Sequence, residues 1–303
     1  MTVTPNAPTA HSTDPIPLRW DPTRDLPAVP SHSLNWLDLC QQQTVDPLPA
    51  AAKKQFTHWT VTSTGSSGGH ATSSAEEVDA YDLAHAMPRL RPTWHRAATS
   101  RAGLRFVASV QRHVAHTSLF ERDTLIALDW AGAPAIAAQP FTLTWHEGPA
   151  VIEHTPDYLA VIGGEVWLLN DRPAARMNDR QLANAAALSY LAFRRGWRSA
   201  LITGYARPAF TLVEMLAATP KDTDPLGYRQ AVTDKLGRGP LRFGDLAQDF
   251  PAPAIARAAT LRLLWERNVT CDAARHFGDR TMIALTPEPR ITTQAGTAQG
   301  GSR

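Results

Sequence analysis

Glu121, Asp157, Asn170 and Arg172 are the residues whose types and spacing could do chemistry together. Gly163-Gly164 is a two-residue hairpin signal, because both central positions of the favoured turn need positive φ. With Ile162 facing Glu165 across it, counting outwards puts Asp157 opposite Asn170 and Thr155 opposite Arg172. Side chains repeat with period two, so Asp157, Asn170 and Arg172 are expected on one face of a sheet, beyond the apolar pairs Leu159–Leu168 and Val161–Val166. An Asp beside apolar layers is costly unless it is paired or binds a metal. One reading is a structural ion pair between Asp157 and Arg172. The other adds Glu121 as a second carboxylate at the same end. Mg²⁺ or Mn²⁺ would accept that oxygen set and lower the pKa of a bound water so that it can attack phosphorus. Arg172 would then stabilise charge that builds in the transition state. The side-chain carbonyl of Asn170 and the backbone carbonyl of Asp171 are further candidate ligands.

The elements that must position these groups are legible around them. Ser118 to Trp130 reads as a helix in which Leu125 and Leu128 share a stripe with Ser118 and Glu121, which puts the carboxylate on the apolar side. Phe141 to Trp145 alternates as a short strand, Val151 to Ile162 as a longer one and Glu165 to Asn170 as a third. Asn178 to Arg195 is predicted helical and ended by Gly196, with a strand over Arg198 to Thr203. Strands, a hairpin, then strand, helix and strand imply an α/β fold with a mixed sheet flanked by helices. Farther on, Leu241 to Ala247 and Pro253 to Arg267 read as helices. Val269 to Leu285 reads as two short strands about Gly278, which suits a small winged-helix-like domain.

Around this centre the composition changes. Residues 1–30 are rich in Pro, Thr and Asp without periodicity, and 286–303 are polar with Gly, Gln and Ser; both read as disordered tails. Residues 31–79 read as a short helical patch (Leu34, Trp36, Leu37, Leu39) followed by a linker, because Thr62 to Ser74 is mostly Ser, Thr and Gly. The expected domains are then 80–205, carrying the chemistry, and 206–285 at the C-terminal side. With 303 residues and 43% apolar composition, the chain is long enough to bury a core of this size. No apolar run approaches the length of a membrane span, and no secretory signal opens the chain. Two cysteines, Cys40 and Cys271, give no disulfide framework. A reducing cytoplasm is the expected setting.

Net charge is only +2, but from His85 to Phe120 there are six Arg (Arg89, Arg91, Arg96, Arg101, Arg105, Arg112), four His and no acidic residue. That segment could face phosphate, or it could be a solvated basic loop. Arg257, Arg262 and Arg267 of the last helix are not spaced to make one basic face. His113 and His116 have a zinc-like spacing, yet the other His residues are scattered and no Cys is near, so a metal cage is not expected there. Trp145, Trp167 and Trp197 are most simply core aromatics. Neither a Gly-rich phosphate loop nor a nucleophile elbow occurs, so ATP hydrolysis and serine-hydrolase chemistry have no support.

Taken together, Ser118-Leu119-Phe120-Glu121-Arg122-Asp123, Gln139-Pro140-Phe141, His154-Thr155-Pro156-Asp157-Tyr158 and Leu168-Leu169-Asn170-Asp171-Arg172 resemble the TnsA-like endonuclease subunits of two-component DNA transposases, a PD-(D/E)xK pattern. Pro240 to Ala247, Leu261 to Trp265 and Phe277 to Thr281 resemble that family's C-terminal helical region. The resemblance spans about two thirds of the chain. It implies a restriction-endonuclease-like core in which Glu121 and Asp157 hold Mg²⁺ or Mn²⁺, with Asn170 and the Asp171 carbonyl as the further candidate ligands at the third motif. It also implies cleavage of one strand at transposon ends, beside a TnsB-like DDE transposase. A nuclease-fold subunit that only binds DNA or its partner, and a stand-alone restriction-like nuclease, are the alternatives. Where the pattern has Asp, Glu or Gln, any residue, then Lys, this chain has Asn170, Asp171 and Arg172. A guanidinium does not exchange protons near neutral pH, so Arg172 is a fixed charge.

Overall fold

The structure, a computed structural model, describes residues 29–65, 68–88, 101–219 and 224–287. Two 3₁₀ turns, Ser31–Ser33 and Trp36–Leu39, lead into β1 (Cys40–Gln42), α1 (Ala50–Lys54), the hairpin β2 (Thr60–Thr64) and β3 (His70–Ser74), and α2 (Ala80–Ala84). Next come the hairpin β4 (Gly103–Val107) and β5 (Arg112–His116), then α3 (Leu119–Trp130), β6 (Ala135–Ala138), β7 (Phe141–Glu147) and β8 (Ala150–His154). The centre of the chain holds β9 (Tyr158–Ile162), β10 (Glu165–Asp171), α4 (Asp179–Arg195) and β11 (Arg198–Tyr205). After α5 (Ala209–Ala217) and α6 (Tyr228–Leu236) come β12 (Leu241–Arg242), α7 (Phe243–Gln248), α8 (Pro253–Trp265), β13 (Val269–Thr270) and β14 (Met282–Leu285). The result is a mixed α/β fold with several sheets. Among the described residues no helix is long and apolar enough to cross a membrane.

The central sheet runs β1-β11-β10-β9-β6, with β10 parallel to β11 and antiparallel to β9. Its hairpin has the register expected from the glycines: Glu165 pairs with Ile162 and Leu169 with Tyr158. Gly163 and Gly164 sit at φ 58° and 83°, the left-handed region that glycine enters without steric cost. Alternation then sorts the two faces. Tyr158, Ala160 and Leu169 face one core with α3 and the C-terminal helices, while Leu159 and Leu168 face a second core with α4. α4 starts where the Asn178 side chain accepts the Gln181 N–H and ends at left-handed Gly196.

Two expectations need correction. Thr62 to Ser74, read as linker, lies in the β2–β3 hairpin, which joins a second sheet of order β3-β2-β7-β8. Thr is β-branched and suits a pleated surface with one wet face, and Val61 alternates inward at 1% exposure against Trp59 and Trp145. Residues 31–79 therefore contribute strands to both larger sheets instead of leading up to them. The single strand expected over Val151 to Ile162 is two strands in different sheets, separated at Thr155-Pro156-Asp157. The proline there cannot donate to a ladder. The expected tails lie almost wholly outside the described residues, which begin at Val29 and end at Pro287. Toward the C-terminal side, α6, α7 and α8 accompany a small sheet of order β12-β14-β13.

Candidate functional site

Glu121 is placed by the start of α3. The N-cap Ser118 accepts the Glu121 N–H at 3.1 Å, and the Glu121 carboxylate reaches back to the Thr117 N–H and hydroxyl, both at 2.6 Å. This is a capping-box arrangement displaced by one residue, and it holds a carboxylate at 8% exposure at a helix N-terminus. Its Ser-x-x-Glu signature is visible in the sequence and gives Glu121 a structural role independent of catalysis.

Asp157 sits just before β9. Its backbone N–H donates to the Leu169 carbonyl at 3.0 Å and its carbonyl accepts from Gln139, so the backbone continues the ladder. Its side chain does not continue the alternation. Oδ2 accepts the Asp171 N–H at 2.6 Å, which turns the carboxylate toward Asp171 and α3. Burial, and then the negative charge of Glu121, push Asp157 up to about 7, against the pull of the Asp171 N–H and Arg172.

Asp171 is the residue that spacing arguments missed. It shares a face of β10 with Leu169 and is 7% exposed. Both of its carboxylate oxygens are enclosed, and neither has a hydrogen-bond partner among the described residues. Thr124 stands close enough to favour its charged form, but the hydroxyl hydrogens nearby are committed. Tyr205 donates to the Phe120 carbonyl at 2.7 Å, so in the 2.8 Å contact between Thr124 and Tyr205 the Thr124 hydroxyl must be the donor. Burial and then Asp157 hold Asp171 well above the ordinary carboxylate range. Burial, and then the same crowd of oxygens, lifts Tyr158 and Tyr205, and Cys40 is pushed up to about 12 by burial and then by Asp171. The available signal is the alternation itself, which sets an acid on the same side as Leu169.

Asn170 faces the other way. Its Oδ1 lies 2.9 Å from His154 Nε2, beside a cleft of about 300 Å³ lined also by Gln42, Gln43, Ser189 and Ser199. Burial lowers the His154 pKa. The expectation that Asp157, Asn170 and Arg172 project together is corrected to this extent: the break before β9 frees Asp157 from the alternation, and its carboxylate leaves the Asn170 face. Arg172 is half-buried and its charge is felt at both Asp157 and His154. Among the described residues no salt bridge joins Arg172 to Asp157.

The basic segment divides. Arg89, Arg91 and Arg96 lie outside the described residues, and Arg101 is exposed. Arg112 donates to the Ile136 carbonyl. Arg105 is half-buried, its pKa lowered by burial, with the carboxylates of Asp129, Asp123 and Glu214 around it. In and after α8, Arg257 pairs with Asp279 at 2.6 Å, Arg262 with Glu266 at 2.8 Å, and Arg267 donates to the Trp130 carbonyl. His116 is buried with Nδ1 on the Ser118 carbonyl, while His113 is exposed against Phe106. Trp145 is core, and Trp167 packs edge-on against Trp36 at 5.0 Å.

Chemically, the site is a knot of negative potential. Burial raises both Asp157 and Asp171, Asp157 further raises Asp171, Glu121 raises both, and among the described residues two buried Asp171 oxygens have no hydrogen-bond partner. Such a set accepts either protons or a hard cation, and its all-oxygen donor chemistry fits Mg²⁺ or Mn²⁺. Among the described residues no three acidic, His or Cys side chains already enclose an ion-sized point. Side-chain rotation would have to close the set.

No family model matches the chain. One stretch of 61 residues is 36% identical to an HTH-type transcriptional regulator of Mycobacterium tuberculosis, covering 20% of this chain and 55% of the regulator. The chain thus spans about half the length of the curated relative it matches.

Proposed function

We propose that this chain is a metal-dependent DNA endonuclease subunit of TnsA-like type, acting at transposon ends with a TnsB-like DDE transposase. The observation that carries the reading is the Asp157–Asp171 contact beside Glu121, with enclosed Asp171 oxygens that have no hydrogen-bond partner among the described residues. Unpaired buried carboxylates are costly, and a site that awaits a divalent cation accounts for them. The central sheet, in which α3 and α4 cover opposite faces of β9, β10 and β11, agrees with the restriction-endonuclease-like core that the sequence resemblance implies. Three helices with the β12-β14-β13 sheet suit a winged-helix-like domain, and the likeness of 61 residues to an HTH-type regulator supports DNA binding by part of the chain.

In this reading Glu121 and Asp157 are the ligands carried over from the resemblance, with the Asp171 carbonyl beside them; Asn170, which the pattern would also use, lies on the opposite face of β10 against His154. A bound divalent ion supplies an activated water and neutralises phosphate charge. Arg172 contributes a fixed positive charge at the same end of β10, and His154 orients the Asn170 amide. The test is whether purified protein, mixed with its partner transposase and end-containing DNA, nicks one strand in Mg²⁺ or Mn²⁺. Absence of cleavage, with DNA or partner binding retained, would establish the second reading: a nuclease-fold subunit that only binds. That reading is favoured by the engagement of Glu121 in capping and of Asn170 with His154. A stand-alone nuclease would cut without the partner.

A further inference from the structure

We propose that the Asp171 side chain, and not that of Asn170, joins Asp157 as an anionic ligand of a divalent-cation site beside Glu121. The inference rests on the nuclease reading above, because it names ligands of that same site.

Three observations carry it. The Asp171 carboxylate is almost fully enclosed and both oxygens lack a donor. It is not isolated, since its own N–H holds Asp157 Oδ2 at 2.6 Å, which keeps the two carboxyl groups on neighbouring positions of adjacent strands. And the hydroxyls that could have satisfied it are used in sequence, Thr124 on Tyr205 and Tyr205 on the Phe120 carbonyl. The fold has donors next to Asp171 and points their hydrogens elsewhere.

Asn170 has the opposite character. Its carbonyl oxygen is already engaged by His154 on the far face of β10. Period-two alternation prevents Asn170 and Asp171 from serving the same point. A carboxylate at position 170 is therefore not missing from the site; the charge sits one residue later, on the face that α3 covers. Asp157 keeps partial exposure, so an ion could enter from solvent and reach the enclosed Asp171 behind it. Mg²⁺ and Mn²⁺ need only one or two protein carboxylates with waters completing the shell. Asp157 and Asp171 can meet that need even while Glu121 remains a cap and contributes through its charge.

The experiment is calorimetric titration of Mn²⁺ alone into the full-length protein, without DNA, for wild type, Asp171→Asn and Asn170→Ala. Melting curves establish that each variant folds. Asp171→Asn should weaken Mn²⁺ binding by about tenfold or more, as expected when one anionic ligand is lost. Asn170→Ala should stay within about twofold of wild type, since it removes no charge from the α3 face. If Asp171→Asn fails to fold, Asp171→Ala takes its place. Unchanged Mn²⁺ affinity in the Asp171 variant overturns the inference, and so does a loss confined to Asn170→Ala. Wild type that nicks end DNA while its Asp171 variant binds Mn²⁺ normally would sink this inference and leave the nuclease reading standing. Wild type that neither binds Mn²⁺ nor nicks would sink both.

Discussion

Asn170 Oδ1 and His154 Nε2 stand 2.9 Å apart, on the face of β10 opposite the one that holds Asp171. The relationship divides the end of this strand into two chemistries. On the α4 side a neutral amide meets an imidazole whose pKa burial lowers. On the α3 side two carboxylates crowd together beneath a third.

The crowded side should leave a pH signature. Asp157 rises in the folded state to about 7, from about 3.9 when unfolded. A carboxyl with a raised folded pKa binds its proton more tightly when folded, so it favours folding at low pH and loses that contribution as pH climbs from about 4 to about 7. Asp171 shifts in the same direction. In the absence of divalent metal, Asp157→Asn should therefore gain stability over wild type at pH 8, on the order of 1–3 kcal/mol, and clearly less at pH 5, where only about the first third of the window has been crossed. Melting temperatures at the two pH values measure this. An equal gain at both would mean the carboxyl does not titrate between them.

Glu121 has two roles that substitution can separate. Glu121→Ala removes the acceptor of the Thr117 N–H and should cost about 1 kcal/mol through the cap alone. Glu121→Gln keeps an acceptor oxygen and removes the charge. Stability should then recover largely, while metal-dependent nicking stays lost. If Glu121→Gln nicks at the wild-type rate, Glu121 is a cap and nothing more.

The arginines in and just before the β4–β5 hairpin should not behave alike toward DNA. Arg101 is exposed, whereas Arg105 is half-buried among acids and Arg112 holds the Ile136 carbonyl. Substituting Arg101 with Gln should reduce the slope of log affinity against log salt by about 1 if it meets a phosphate. Arg105→Gln and Arg112→Gln should lower the melting temperature with little change in slope. A loss of slope at Arg105 instead would show that its side chain leaves the acids to reach DNA.

Much of this arrangement is encoded in local patterns. The Gly163-Gly164 turn sets the register of β9 and β10 because both residues must adopt positive φ, and the Asn178 cap and Gly196 stop bound α4 as their chemistry requires. What local patterns miss is long-range. Thr62 to Ser74 has the composition of a linker, and it is the pairing of β2 with β7, far along the chain, that builds the hairpin into a sheet. Extending a strand through Pro156 gives Asp157 the wrong face, because the strand has already ended there. Spacing draws attention to Asp171 only for its carbonyl. Its side chain matters because Thr124 and Tyr205 direct their hydrogens away from it, and no single-sequence pattern encodes the direction of a hydroxyl.

The two faces of β10 make opposite predictions for Asn170→Asp. If position 170 faces the metal, the added carboxylate should tighten Mn²⁺ binding and lower the Mg²⁺ needed for half-maximal nicking. In the geometry found here the new carboxylate would instead lie against His154 Nε2 and form an ion pair, and Mn²⁺ affinity should hardly move. The imidazole, now lowered mainly by burial, would be raised above its unfolded value of about 6.5. A raised His contributes stability that is fully present below that unfolded value and is lost as pH rises through the folded one. Asn170→Asp should therefore be relatively most stable below pH about 6.5 and lose that advantage above it. An NMR titration of the His154 ring protons, run beside the Mn²⁺ titration, reads both quantities from one variant. An unmoved His154 together with tighter metal binding would return Asn170 to the metal site and put Asp171 in the role of a buried structural acid.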